Sequence, residues 1–213
     1  MKRRVWFERL GFLSLFLTLI SLAVFLTINA RFIYVWDVKH LDILNYTNLD
    51  QTRLLKNYDE LMRFLNFPWV KELSLADFPM SIQGRAHFYD VKKLFMLDYT
   101  ILFISLFPSA YFLYYLNKTK QKWRLIQPFQ WGMGLPVLLA LLMSMGFDAF
   151  FIKFHELFFN NDDWLFDPIT DPIINVLPEQ YFMHCFIFFF FLIEIFFAIG
   201  IWLGKRELKQ QIK

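Results

Sequence analysis

Residues 182–203 read FMHCFIFFFFLIEIFFAIGIWL, an apolar run in which Glu194 is the only side chain charged at neutral pH. About 20 apolar residues in a helix cross the ~30 Å hydrocarbon core of a bilayer. Lys205, Arg206 and Lys209 follow the run, and basic residues flank membrane spans mainly on the cytoplasmic side. The stretch therefore predicts a membrane-spanning helix whose C-terminal end faces the cytoplasm.

Three similar apolar runs precede this one. The four predicted spans cover about residues 10–29, 94–116, 133–154 and 182–203. Clusters of Lys and Arg lie before the first span, between the second and third, and after the fourth, so all three fall on one side of the membrane. We predict an all-α integral membrane protein with four transmembrane helices, a single membrane domain over residues 1–213, and both termini in the cytoplasm.

The composition agrees with this class. Of the residues, 57% are hydrophobic and 21% aromatic, including 29 Phe, which is far from the make-up of a soluble domain. The net charge of +3 comes from the clusters beside the spans, and no nucleic-acid-binding motif is present. Cys185 is the only cysteine, so the chain has no internal disulfide.

Two outer segments connect the spans. Residues 30–92 are too long for a simple connector and predict a small outer cap between the first and second helices. Within it, leucines at helical spacing after Asp50 predict an amphipathic helix that ends before Pro68. The β-favouring runs 31–36 and 41–46 predict two short paired strands, so the cap is expected to be mixed. Residues 155–181 form the second outer loop.

Two histidines stand at the outer membrane boundary. His87 precedes the second span and His155 follows the third, so the topology brings both to one level. Histidine, with an ordinary pKa near ~6.5, accepts and returns a proton at neutral pH. Structural roles are the better interpretation for His40, which lies among ordinary charges, and for His184, as a buried hydrogen-bonding residue.

Metal and serine chemistry both lack a motif. His155 and Glu156 begin like a zincin helix, but that motif needs a second histidine where this chain has Phe159. No Gly-x-Ser-x-Gly nucleophile elbow occurs. We expect no metal and no cofactor, and an enzyme without its own nucleophile must use one from the substrate.

Two carboxylic residues at membrane depth leave other functions open. Asp148 and Glu194 would be costly in hydrocarbon and suit a proton-coupled transporter. A non-enzymatic lipid- or protein-binding membrane subunit would instead explain the aromatic residues and the cap. Neither alternative needs both histidines, and the residues alone leave these classes open.

The sequence around both histidines resembles the Lit family of bacterial lipoprotein intramolecular transacylases. The motifs that carry the resemblance comprise His87, Asp90, Val91 and Lys92, then Phe154, His155, Phe158, Phe159, Trp164, Phe166 and Pro168. The resemblance implies transfer of the sn-2 acyl chain of a diacylglyceryl lipoprotein to the α-amino group of its own N-terminal cysteine. It also implies a bacterial cytoplasmic membrane protein with its active site at the outer interface, and membrane lipid as a second partner.

The implied reaction suggests roles for these residues. His155 is expected to act as the base and His87 to stabilise the oxyanion, with the reverse assignment still open. Asp90 would fix the tautomer of a histidine. The expected pocket walls that contact the substrate are Phe88, Phe158, Phe159, Trp164 and Phe166. The sequence does not determine the oligomeric state.

Overall fold

A computed structural model describes residues 2–212 of the chain, and the side chains of residues 5–211. Seven α-helices are found there: α1 (Lys2–Ile28), α2 (Arg31–His40), α3 (Gln51–Asn66), α4 (Ile82–Lys118), α5 (Ile126–Met145), α6 (Phe147–Phe158) and α7 (Glu179–Ile212). Short 3₁₀ helices cover Ile43–Tyr46, Lys122–Leu125 and Pro172–Val176. No residue between 2 and 212 lies in a β-strand, so the all-α fold class is confirmed.

Four helical stretches are long and apolar enough to cross a membrane. They are Val5–Ile28, Ile82–Lys118, Lys122–Met145 and Glu179–Gln211. The predicted number of spans is therefore confirmed. The helices extend beyond the apolar runs, and α4 begins twelve residues before the predicted second span because Ser81 accepts the N–H of Gly84 and caps its first turn.

The prediction of one continuous third span over residues 133–154 is wrong. Helix α5 ends at Met145, and α6 starts at Phe147 after the intervening Gly146. Glycine is the poorest helix former apart from proline, by about 1 kcal/mol relative to alanine. The sequence stays apolar on both sides of this glycine, so hydropathy alone gives no sign of the break.

The chain divides into two compact units. The first, which we call the bundle unit, contains residues 1–28, 98–145 and 186–213. Its core consists of Leu15, Ala23, Phe112, Leu116, Leu125, Phe129, Ile193 and Phe197. Aromatic rings pack directly onto glycine backbones: a Cβ added at Gly11 would collide with the ring of Phe112, and one at Gly200 with the ring of Phe129. Glycine thus permits the closest approach of neighbouring helices.

Polar contacts within the bundle unit join its helices. Thr18 donates a hydrogen bond of 2.9 Å to the hydroxyl of Ser105, linking α1 and α4. Arg124 donates two hydrogen bonds, of 2.5 and 2.7 Å, to the carboxylate of Glu8. Thr18 and Ser105 are buried, and buried polar groups need such partners because water does not reach them.

The second unit, which we call the histidine unit, contains residues 29–97 and 146–185. Here the predicted strands at 31–36 and 41–46 are wrong: α2 covers residues 31–40 and the 3₁₀ helix follows. Helical periodicity buries Ile33, Tyr34, Asp37 and Val38 on one face of α2. A pair of isolated strands is marginal, so tertiary packing overrides the local preference of these β-branched and aromatic residues.

The amphipathic helix predicted after Asp50 is confirmed. Asp50 accepts the N–H of Arg53 at 2.8 Å as the N-cap, and α3 ends at Asn66, before Pro68. The extended segment that follows is held to α4, since Lys92 donates to the carbonyls of Phe67 and Val70. These contacts support the helical turn of α4 that follows the histidine-bearing turn.

Candidate active site

The two candidate histidines meet inside the histidine unit. His87 lies in the second turn of α4 and His155 in the last turn of α6. Their ring centroids are 5.8 Å apart, and each residue is only 8% exposed. The two rings are therefore close enough for one group beside them to contact both imidazoles.

The tautomer of His155 is fixed by its own helix. Its Nδ1 lies 2.8 Å from the carbonyl oxygen of Phe151. Because a carbonyl only accepts, Nδ1 carries the hydrogen and Nε2 presents a lone pair. Burial lowers the pKa of His155, and the hydrogen bond to Phe151 opposes that shift. The imidazole is thus mainly neutral at pH 7 and able to accept a proton.

His87 lies in an apolar environment. Within residues 2–212 its buried Nδ1 has no hydrogen-bond partner. The ring of Phe159 is 4.8 Å from its ring and that of Phe166 is 5.5 Å away, both edge-on. A buried ring nitrogen without a partner is costly and is a frequent feature of sites that bind a polar ligand.

Four of the five residues predicted as pocket walls contact a histidine. Phe159, Trp164 and Phe166 do so from the loop after α6, and Phe88 does so from α4. Trp164 stacks on His155 at 4.8 Å with an interplanar angle of 27°. The fourth, Phe88, is 5.9 Å from His87 and packs edge-on against Phe166 at 5.5 Å. Phe158 differs, since it is 48% exposed and its ring contacts Phe154 at 4.7 Å.

Asp90 does not orient either histidine in this structure. Its carboxylate accepts hydrogen bonds from Lys93 at 2.7 Å and from Asn161 at 3.1 Å. In the described part of the chain no hydrogen bond joins it to His87 or His155. The orienting contact comes instead from the backbone of Phe151, four residues before His155.

Sequence reasoning missed three polar contacts near the site. The Phe151 carbonyl could have been found, because a helical side chain reaches the carbonyl four residues earlier. The bond from Asn161 to Asp90 and the buried carboxylate of Asp171, which accepts the Ser81 N–H at 2.8 Å, join segments distant in sequence. No local pattern marks such pairs.

The other two histidines have structural partners. His184 lies 2.8 Å from the carboxylate of Asp37, as expected for a hydrogen-bonding residue. His40 stacks on Trp36 at 4.0 Å and donates from Nδ1 to its carbonyl. Across residues 2–212, no group of three or more His, Cys, Asp or Glu side chains is arranged to hold a metal ion.

Fold and site together define a helical membrane protein with a buried pair of neighbouring histidines. Residues 9–182 match the family model of the lipoprotein intramolecular transacylase Lit. The chain belongs to this family, and it is accordingly a bacterial membrane acyltransferase of lipoprotein maturation. This assignment removes the transporter and the non-enzymatic subunit as explanations.

Solved structures agree with the family model. The membrane-integral lipoprotein intramolecular transacylase Lit from Bacillus cereus is 27% identical, with a TM-score of 0.90 over 98% of this chain and 96% of that chain. Structures of two variants of that protein, with one histidine replaced by arginine or by alanine, each give a TM-score of 0.82 at 27% identity. They cover 98% of this chain and 92% and 94% of theirs, respectively. No match was found among curated protein sequences.

Proposed function

We propose that His87 and His155 together move the sn-2 acyl chain of a diacylglyceryl lipoprotein to the α-amino group of its own N-terminal cysteine. The observation that carries this proposal is the 5.8 Å separation of the two buried rings. A reacting centre that lies beside both rings could contact both imidazoles at once. The product is an N-acyl, monoacylglyceryl lipoprotein.

The reaction needs one base and one oxyanion donor. The amine nitrogen attacks the ester carbonyl, and Nε2 of His155 removes its proton. An N–H of His87 stabilises the oxyanion of the tetrahedral intermediate. The intermediate then collapses: the C–N amide bond is complete, the C–O ester bond breaks, and the proton on His155 passes to the departing glyceryl oxygen. The enzyme itself forms no covalent bond.

The assignment of His155 as base rests on its tautomer. The Phe151 carbonyl holds the hydrogen on Nδ1 and leaves Nε2 free. A substrate α-amino group, with a pKa of about 7.7–8.0, is largely protonated at neutral pH. Only the neutral fraction of the amine attacks, and a neutral imidazole beside it can accept the proton that the nitrogen releases as the C–N bond forms.

The aromatic walls would lower the entropic cost of ring closure, because they hold the amine and the ester close together. Attack within one molecule passes through a ring of about eight members, whose closure is entropically unfavourable unless both groups are held in contact geometry. Trp164, Phe159, Phe166 and Phe88 form a rigid apolar enclosure for this purpose. The exposed ring of Phe158 would contact the acyl chain. Asp90 would act on the substrate indirectly, because Asn161 attaches it to the loop of residues 159–171, which we call the aromatic loop.

Replacement of the histidines tests the mechanism. His87→Gln and His155→Gln should each lower conversion by about 10²–10⁴-fold, the usual contribution of acid–base catalysis. The double variant should be little worse than the poorer single variant, because the two residues act as a unit. Conversion is measured by mass spectrometry of lipoprotein N-termini, with Gly134→Ala as a folding control at an open helix position. Near-normal conversion by the double variant would exclude the two-histidine mechanism.

The proposed location of the site is the outer face of the cytoplasmic membrane, with both termini inside. The basic clusters at the N-terminus, at residues 118–124 and at residues 205–213 support this orientation. Cysteines introduced at the exposed positions Lys56 and Asp162, in a Cys185→Ala background, should react with an impermeant thiol reagent in intact cells. A cysteine at Lys118 should react only after the membrane is opened. The opposite labelling pattern would invert the topology.

A further inference from the structure

We propose that Asp171 is a positioning residue for the reaction, which clamps the aromatic loop to the helical turn that precedes His87. This inference rests on the proposed role of His87. Asp171 is only 2% exposed and lies where the loop after α6 ends and the 3₁₀ helix Pro172–Val176 begins. Among the groups of the histidine unit, it is a buried carboxylate to which the reaction as described gives no role.

Both oxygens of the Asp171 carboxylate are used. Oδ1 accepts the backbone N–H of Ser81 at 2.8 Å, and Oδ2 accepts the hydroxyl of Thr170 at 2.8 Å. Ser81 in turn accepts the N–H of Gly84. N–H groups at the start of a helix have no intrahelical partner, and a negative charge there is favourable. The carboxylate therefore joins the end of the loop to the first turn of α4.

Gly84 makes this contact possible. A Cβ added to Gly84 would lie 2.9 Å from Cγ of Asp171 and closer still to Oδ1, so only glycine leaves room for the carboxylate against the helix. His87 follows three residues later, on the same face of α4. The clamp thus fixes the turn directly before the histidine.

The other end of the loop is attached to α4 one turn after His87. There Asn161 donates to Asp90 at 3.1 Å, in an exposed bond for which water competes. Between the two attachments, Trp164 stacks on His155 and Phe166 packs against His87. Because the attachment at Asp171 is buried, it is the one that sets where the aromatic walls lie relative to the imidazoles.

Loss of this clamp should affect turnover more than binding. A displacement of about 1 Å in a reacting geometry costs up to ~10²-fold in rate. We expect Asp171→Ala to lower the kcat of the folded protein by about 10- to 100-fold while KM changes little. The melting temperature should fall as well, because the Ser81 N–H and the Thr170 hydroxyl lose their partner. Asp171→Asn should recover most of kcat, since its amide oxygen can accept the Ser81 N–H and its NH₂ group can donate to Thr170. A merely structural role would instead lower the yield of folded protein and leave the kcat of the folded fraction unchanged.

A double-mutant cycle with Gly84 makes the test specific. Gly84→Ala alone should displace the carboxylate and lower kcat about as much as Asp171→Ala, but it should cause no further loss in the Asp171→Ala background. Gly134→Ala, where nothing lies within 4 Å of the added Cβ, is the matched control and should be neutral. Hydrogen exchange of the amides of residues 81–87 should accelerate in Asp171→Ala, which reports the clamp independently of activity.

The outcomes separate this inference from the proposed function. Normal kcat in Asp171→Ala, beside an inactive His87→Gln, would overturn the role of Asp171 alone. If the losses of kcat caused by Gly84→Ala and Asp171→Ala were strictly additive in the double variant, the role of Asp171 would also be overturned. Normal kcat in His87→Gln would instead overturn the catalytic role of His87 on which the clamp depends.

Discussion

His155 and His184 belong to the same unit and use the same ring nitrogen, but their partners differ. Nδ1 of His155 is bonded to the neutral carbonyl of Phe151, whereas Nδ1 of His184 lies against the carboxylate of Asp37, both at 2.8 Å. Their aromatic neighbours differ too, since Trp164 stacks on His155 while Trp36 meets His184 edge-on.

The difference shows that a histidine–carboxylate pair does not by itself identify the base. Asp37 has no exposed side-chain surface, and its Oδ2 has no hydrogen-bond partner among residues 2–212. Burial raises the pKa of Asp37, and the neighbouring His184 opposes that shift. His184 therefore serves as the hydrogen-bond partner of a buried carboxyl group. His155 has no carboxylate partner, and its Nε2 remains available for a substrate in the proposed reaction.

The largest expected effect is on stability at the His184 site. His184→Ala leaves a buried carboxyl without its hydrogen bond, which should lower the free energy of unfolding by about 3 kcal/mol. Turnover per folded molecule should stay within about threefold of normal, because this histidine touches no proposed substrate group. Thermal unfolding in detergent and mass-spectrometric rates measure the two quantities.

The exposed His40 provides the control for that comparison. His40→Ala should change the melting temperature much less, since its carbonyl partner remains accessible to water. If His184→Ala abolished turnover while the protein stayed folded, the role of base would move from His155 to His184.

A smaller effect is expected in the pH dependence. Protonation of His155 removes the base, so activity is lost as pH falls through its pKa, which burial places below the ordinary value. As pH falls from the pKa of the substrate amine to the pKa of His155, log(kcat/KM) should fall by about one unit per pH unit. Below the pKa of His155 it should fall by about two units per pH unit, because both groups are then protonated. In His155→Gln the steeper limb should be absent. An unchanged profile in this variant would contradict the assignment of His155 as base.

The sequence predicted the parts of the fold that depend on local pattern. Apolar runs and flanking charges identify four spans, and the spacing after Asp50 identifies α3, because hydrocarbon thickness and helical periodicity act on each segment separately. The strands predicted at 31–36 were wrong, since burial of Tyr34 and Asp37 within the unit outweighs β-propensity. The break at Gly146 was missed because a single glycine alters hydropathy very little.

In the candidate site, too, local pattern identified some residues, whereas the long-range contacts could not be predicted. His87 and His155 could be selected because both stand where the predicted spans reach one side of the membrane. The contacts of Asn161 with Asp90 and of Asp171 with Ser81 could not, because each joins residues at least 70 positions apart through a loop without periodicity. Only the folded chain brings these residues together.

The rings that rest on glycine in the bundle unit bear on how its helices find one another. Acyl chains are as apolar as phenylalanine, so expulsion of water gives transmembrane helices no reason to associate. Shape must then discriminate the correct neighbour from lipid: Phe112 fits over Gly11, and Phe129 over Gly200. Sliding one helix by a single residue would bring Phe12 in place of Gly11 and close the recess. Each glycine thus marks the register in which its helix assembles in the bilayer.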